Sequence, residues 1–391
     1  MILNVLRDNK RLSFSDIARI SNFSLPMVSE LVKELIAEGY VMHIEQDGLK
    51  VGRPANFVKI NPVSAYIVGV EVNSQFVNMV VVNMDEEIVA KKTIPVFNLE
   101  HKEQFVEKIS KTINVLLAEL NILKNKLVGV GIAITGMVNT NTGESFTLLN
   151  FEEKPTCKVF EEVIGVYTKI DNDVNALTLA EMRFGQAKGK KNIACLYIGY
   201  GIGMGFVLNG NLYRGESGFA GEFGHTNVSG NKKLCRCGKK GCLETVASGW
   251  ALSKIAKERL ENGEDSRLLE EYKNYLDKIT YDAIIDYALM GDQFAIELIE
   301  ESGKHIGKNL SDFINLFNPE LVIIGSKGAY AGELLLFPIK AEAVKHTLRE
   351  LYEDTYIVSS HLGKDAAALG AASLIIEEAF NLNSVKVEDY V

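Results

Sequence analysis

The sequence has no run of about 18 uncharged apolar residues, which argues against a membrane-spanning helix. Its start, Met1-Ile2-Leu3-Asn4-Val5-Leu6-Arg7-Asp8, lacks a basic stretch followed by a long apolar core. No secretion signal is expected, and a cytoplasmic location is. Positive charge is in deficit. The formal net charge is −9 over 391 residues, which argues against a protein coated in basic surface. The deficit is uneven, because residues 1–60 carry +1 and the remainder −10. A near-neutral head on an acidic body is compatible with DNA binding by the head alone. Cysteine is scarce too. Of five, Cys235, Cys237 and Cys242 fall within eight residues, which reads as metal binding before disulfides. What is present is ordinary globular material, 47% hydrophobic and 24% charged, and long enough for two or three domains.

The first sixty residues show helical patterning. Ile2, Leu3, Val5 and Leu6 form a short apolar stripe, and Ser13 with Asp16 offers a capped start before Ile17, Ala18 and Ile20. Ser24 caps a third helix with Pro26 in its first turn and Val28, Leu31, Val32, Leu35 and Ile36 on one side. That is the shape of a helix-turn-helix. A strand at 40–44, an Asp47-Gly48 turn and a return strand at 57–60 add a wing. On the solvent side of the third helix, Ser24, Met27, Ser29, Glu30 and Lys33 are expected to be free of core duty, and Ser29 and Lys33 suit phosphates or bases. Arg53, in Gly52-Arg53-Pro54, suits a minor groove. Ser24, Met27, Ser29, Lys33 and Arg53 are the DNA-contact candidates. A small three-helix domain that binds protein gives the same pattern.

From Tyr66 the texture changes. Strands at 66–72, 77–83 and 88–95 precede a helix at 101–120 whose apolar side holds Phe105, Ile109, Ile113, Val115 and Leu116. A buried strand covers 128–134. The pattern recurs with strands at 192–198 and 205–208 around a glycine turn, helices at 248–262 and 281–317, and a buried strand at 321–325. Two α/β lobes with a cleft between them are expected, with ligands at the strand ends.

Cys235, Cys237 and Cys242 supply three thiolates, and His225 lies just upstream. Gly238 and Gly241 let the chain turn tightly enough to bring the sulfurs together. Four Cys/His ligands suit a closed, tetrahedral, structural Zn²⁺, one per chain. Cys157 and Cys195 read as isolated core residues.

Several motifs occur together in order. They are Asn172-Asp173-Val174-Asn175-Ala176, Gly199-Tyr200-Gly201-Ile202-Gly203-Met204-Gly205, Gly221-Glu222-Phe223-Gly224-His225, and Cys235-Arg236-Cys237-Gly238-Lys239-Lys240-Gly241-Cys242-Leu243-Glu244. With these, the chain resembles the ROK family of repressors and sugar kinases over nearly its whole length, in particular its xylose- or N-acetylglucosamine-type repressor branch. The resemblance implies an actin-like ATPase fold of two lobes behind a winged helix-turn-helix. Residues 1–62 would bind DNA and 63–391 sugar, with lobes of roughly 63–175 plus the C-terminal end and 176–370. It further implies that Asn172, Asp173, Glu222, His225 and Glu244 surround a hexose or N-acetylhexosamine, with Asn150 a looser match. Carboxylates and amides hydrogen-bond neighbouring hydroxyls well. One ring nitrogen of His225 would bind zinc and the other point to the sugar.

Asp173 is the general base if the protein is a kinase. The phosphate side departs from the kinase pattern, however. Where the family has Asp-x-Gly-Gly-Thr, this chain has Glu71-Val72-Asn73-Ser74-Gln75. Tyr200 replaces a threonine in the second loop, and Ser326 stands where a second glycine is usual. Gly201, Gly203 and Gly325 are the loop glycines that remain. A sugar-responsive homodimeric or tetrameric repressor, partnered by operator DNA, is the expectation. A sugar kinase with an N-terminal extension is the alternative.

Overall fold

Two serines start the second and third helices of the chain. Ser13 Oγ accepts from the Asp16 N–H at 3.2 Å, and Ser24 Oγ from the Met27 N–H at 3.4 Å. Each satisfies one of the donors that a helix start leaves open. In the computed structural model, which describes residues 1–44, 57–96 and 99–380, these helices are α2 (Phe14–Ser21) and α3 (Leu25–Ala37), after α1 (Ile2–Asn9). Asn22, left-handed at φ 57°, turns the chain between α2 and α3. Strands β1 (Leu12–Ser13), β2 (Val41–Ile44) and β3 (Phe57–Ile60) pair antiparallel in the order β1-β3-β2. Ile2, Leu6, Ile17, Val28, Val32, Val41, Val58 and Ile60 are buried around this sheet and its helices. The Asp47-Gly48 turn and the Gly52-Arg53-Pro54 segment lie outside the described residues.

The chain continues through β4 (Tyr66–Val72), β5 (Phe76–Asn83), β6 (Ile88–Pro95), α4 (Lys102–Glu119), β7 (Leu127–Ile134), the short β8 (Val138–Asn139) and β9 (Glu144–Ser145), α5 (Thr156–Ile164) and β10 (Thr168–Asn172). It then runs through α6 (Asp173–Arg183), β11 (Ile193–Ile198), β12 (Ile202–Leu208), β13 (Asn211–Leu212), α7 (Glu244–Ala247), α8 (Gly249–Glu261), α9 (Leu268–Tyr272), α10 (Tyr281–Leu289) and α11 (Gln293–Phe317). Last come β14 (Leu321–Gly325), α12 (Lys327–Tyr330), α13 (Glu333–His346), α14 (Arg349–Asp354), β15 (Tyr356–Ser359) and α15 (Ala366–Phe380).

Two compact units result. One comprises Met1–Gly136, Thr142–Asp171 and the chain from Ala371. Its five-stranded sheet has the order β10-β7-β4-β5-β6, with β4 and β7 parallel. Helix α4 turns Phe105, Ile109, Ile113 and Leu116 inward, whereas Val115 is 53% exposed and belongs to the solvent side. Position 115 lies two residues past Ile113, about 200° around a helix, so it cannot share that stripe. The winged helix groups with this unit. Asn4 Nδ2 donates to the Phe380 carbonyl at 2.8 Å, and the Arg7 guanidinium lies 4.8 Å from the Phe380 ring centre.

The other unit comprises Met137–Asn141 and Asn172–Gly370. Its sheet has the order β13-β12-β11-β14-β15, parallel along β11-β14-β15 and antiparallel between β11 and β12. Leu196, Ile198, Val322 and Ile324 from the sheet are buried with Leu298, Ile306, Leu310 and Ile339 from the helices. The glycine turn is shorter than its composition suggests. Ile202 and Gly203 are already in β12, and Gly203 pairs with Tyr197 across to β11. The helical stretch 281–317 is two helices, interrupted by Gly291 at φ +86° and restarted by Asp292, whose Oδ1 accepts from the Ala295 N–H at 2.8 Å.

Candidate metal centre and ligand site

His225, Cys235, Cys237 and Cys242 offer one ligand atom each, all within 4.8 Å of one another. Cys237 Sγ and Cys242 Sγ are 3.6 Å apart, and Cys235 Sγ lies 3.7 Å from His225 Nδ1. Tetrahedral Zn–S bonds of about 2.3 Å put neighbouring sulfurs about 3.7–3.8 Å apart, so the donor set fits a zinc ion. Gly238 and Gly241 take φ of +88° and +87°, closing the loop as glycine allows. Burial pushes the Cys235 thiol up and the Cys242 thiol up to about 12, whereas the Lys239 backbone N–H draws Cys237 down. The two buried thiols therefore stay protonated at neutral pH until a cation displaces the protons.

The polar residues expected around a sugar cluster along one stretch of β12. Asn172 caps α6, its Oδ1 accepting from the N–H groups of Val174 at 2.8 Å and Asn175 at 3.2 Å. Asp173 follows and is buried. A Cβ on Gly203 would meet Val174 Cγ2 at 2.8 Å, so glycine there lets the start of α6 sit directly on β12. The segment carrying Glu222 and His225 runs beside the same strand, with the Met204 N–H donating to the Gly221 carbonyl at 2.9 Å. Nδ1 of His225 faces the thiols, and Nε2 lies 3.6 Å from Glu222 Oε2. Glu244 opens α7, and its Oε2 is 3.2 Å from where a Cβ on Gly201 would stand. Asn172, Asp173, Glu222, His225 and Glu244 all belong to the second unit. Asn150 belongs to the first, where it is exposed and its carbonyl accepts from Lys102 Nζ at 2.5 Å.

Two groups escaped the motif reading. Arg236, between Cys235 and Cys237, donates through Nη2 to Glu244 Oε1 at 2.9 Å. Its guanidinium lies 5.0 Å from the Tyr200 ring centre and 4.8 Å from that of Trp250. Its place inside the Cys-x-Cys was the available signal, but a basic residue in a loop carries no sign of what it faces. In the sequence Asn73 shows only that a glycine of the family pattern is absent. Its Oδ1 accepts from the N–H groups of Gln75 and Phe76, both at 2.9 Å. The side chain thus takes two backbone donors that a phosphate loop leaves for its anion.

The remaining loop glycines are packed tightly. A Cβ on Gly325 would meet Leu177 Cδ2 at 2.7 Å. Ser326 holds φ 59° and ψ −148°, a region that is essentially glycine's alone. On α3, Ser24, Met27, Glu30 and Lys33 are exposed while Val28 and Val32 are buried. Ser29 is half-buried, so it is not wholly free of packing.

Residues 67–378 match the ROK family model, and residues 1–42 match a winged helix-turn-helix DNA-binding model. The chain belongs to the ROK family. Its architecture is therefore a winged helix-turn-helix followed by the two-sheet α/β domain of ROK sugar kinases and repressors. It is 28% identical over 380 residues to the xylose repressor of Caldicellulosiruptor bescii, covering 97% of this chain and 95% of the relative. The glucokinase of Halalkalibacterium halodurans is 30% identical, over 80% of this chain and 96% of its own. A crystal structure of a ROK family transcriptional regulator, a homologue of Escherichia coli MLC, superposes with a TM-score of 0.80 at 25% identity, covering 97% of this chain and 94% of that one. Repressor relatives thus match the chain from end to end, winged helix included, and the kinase matches four-fifths of it. No described helix of this ROK protein is long and apolar enough to cross a membrane.

Proposed function

We propose that the protein is a sugar-responsive transcriptional repressor. The winged helix of residues 1–62 binds operator DNA, and residues 63–391 bind a hexose or N-acetylhexosamine effector. The observation that carries the reading is the union in one chain of an exposed recognition-helix face and a phosphate loop closed on its own Asn73. Ser24, Met27, Ser29 and Lys33 contact DNA from the recognition helix, and Arg53 from the wing. Asn172, Asp173, Glu222, His225 and Glu244 hold the sugar. Asp173 acts as a hydrogen-bond acceptor in this role and needs no reacting phosphate. His225, Cys235, Cys237 and Cys242 hold one structural Zn²⁺ per chain. With four protein ligands the ion has no open position, so its chemistry is to fix the loop bearing Glu222 and Glu244.

Two or four copies act together in the cytoplasm on a palindromic site, as paired winged helices require. Sugar and operator are linked. An effector that binds one state better shifts the population, and operator DNA must change sugar affinity by the same factor. The test is an operator shift titrated with D-xylose, D-glucose and N-acetyl-D-glucosamine, paired with ATP consumption on the same sugars. A shift that responds to D-glucose or N-acetyl-D-glucosamine without turnover supports the reading, and a response to D-xylose alone keeps the repressor but overturns the hexose effector. Robust turnover overturns it in favour of a kinase that uses Asp173 as general base.

A further inference from the structure

We propose that Arg236 is a positioning residue of the sugar site, clamped between Tyr200 and Trp250 so that it holds the Glu244 carboxylate in place for the effector. The proposal rests on the sugar-receptor reading above and adds to it a part played by the glycine turn.

Glu244 has only 10% of its side chain exposed, and among the described residues its hydrogen-bond partner is Arg236 Nη2 at 2.9 Å. A nearly buried carboxylate is stable only when paired, and the partner's position fixes which oxygen remains for a ligand. Arg236 would be a poor anchor by itself, being 48% exposed on a loop. Two rings make it one. The guanidinium lies 5.0 Å from the Tyr200 ring centre and 4.8 Å from that of Trp250, within the range at which a cation is attracted to an aromatic face. The rings are themselves framed by backbone. The Trp250 N–H donates to the Tyr200 carbonyl at 3.1 Å, and the Gly249 N–H to the Gly199 carbonyl at 2.8 Å. The start of α8, the glycine turn and the metal loop therefore meet at one cation. On the other side of the carboxylate, Gly201 leaves Oε2 its room.

The consequence is that Tyr200 serves the sugar. Its position belongs to a loop that in a kinase faces phosphate, yet here its ring braces the arginine that braces Glu244. Restoring threonine at this position removes a wall of the clamp and supplies no phosphate site.

The experiment uses the zinc-loaded full-length protein and titrates D-xylose, D-glucose and N-acetyl-D-glucosamine. Trp250 is the single tryptophan of the chain, so its emission reports the clamp directly. Sugar binding by the native protein is expected to change that emission saturably. Arg236→Met is expected to weaken binding about thirtyfold and Tyr200→Thr about tenfold, without ATP turnover in either. Tyr200→Phe, which keeps the ring, is expected to recover affinity to within about threefold. Should Arg236→Met lose its metal, Tyr200→Thr leaves the metal loop untouched and carries the test. If the native protein binds a sugar and both variants bind it within twofold of native, the clamp is overturned while the receptor reading stands. If Tyr200→Thr gains turnover, the clamp is overturned as well. If the native protein binds none of the three, the receptor reading fails and the clamp with it.

Discussion

The loop from Gly221 to Glu244 and the turn from Asn73 to Gln75 are both polar and each placed beside strands of a five-stranded sheet. They have opposite fates. In the first, three thiols and a ring nitrogen converge on one point, and the carboxylates of Glu222 and Glu244 are left to point elsewhere. In the second, Asn73 turns back on its own loop and takes the N–H groups of Gln75 and Phe76. One loop presents a donor set that fits a foreign ion and carries its carboxylates outside that set. The other is organised by itself and has spent its donors. That contrast separates a receptor from an enzyme more sharply than the presence of Asp173, a residue that both would use.

The strongest way to break the comparison is to remove the ion. Cys242→Ala is expected to lose the metal, lower the melting temperature and abolish sugar binding, because a structural zinc supplies binding energy on the order of 10–16 kcal/mol. Elemental analysis with thermal melts checks this, and one zinc per chain with an unchanged melt refutes the brace. Next is Glu244→Ala, expected to cost roughly a hundredfold in sugar affinity while operator binding survives. Calorimetry and an operator shift on the same sample decide it. If both activities fall together, the residue is structural.

Acidification sharpens the same contrast. The raised Cys235 and Cys242 thiols must lose protons to bind metal, so affinity falls as pH falls. A drop of about tenfold per pH unit is expected for each thiol proton displaced, read with a competing chelator. A pH-independent affinity means that fewer thiols bind. Lys33→Ala is expected to weaken operator binding several-fold and to lower the slope of affinity against salt by about one. An unchanged slope removes Lys33 from the phosphate contacts. Smallest is Ser326→Gly. Relief of about 1–3 kcal/mol of backbone strain, less about 0.5–1 kcal/mol of added chain freedom, should raise the melting temperature by a few degrees. If ATP turnover also appears, Ser326 rather than Asn73 silences the phosphate side.

Much of this was legible from residue order. The capped starts at Ser13 and Ser24, the strands at Tyr66–Val72 and Leu321–Gly325 and the metal cluster all follow from spacing, because caps, pleats and chelating loops are local. The errors are local too. Hydrophobicity alone puts Val115 on the buried stripe, though its angle around α4 excludes it. Glycine count alone draws the glycine turn too long because it says nothing about pairing, and Ile202 and Gly203 already pair with β11.

By itself, then, the sequence determined most of the elements, the winged-helix start and the four residues of the Cys/His cluster. Only the tertiary structure decided what the eroded loops became. Arg236 and Glu244 are eight residues apart, but Tyr200 and Trp250 join them from other elements. A cation's partners are set by which faces the fold brings near, and short-range order carries no record of that. Asn73 marks the boundary between the two. Its loss of glycine is written in the chain, but the direction in which its carboxamide turns is fixed by the hairpin that surrounds it.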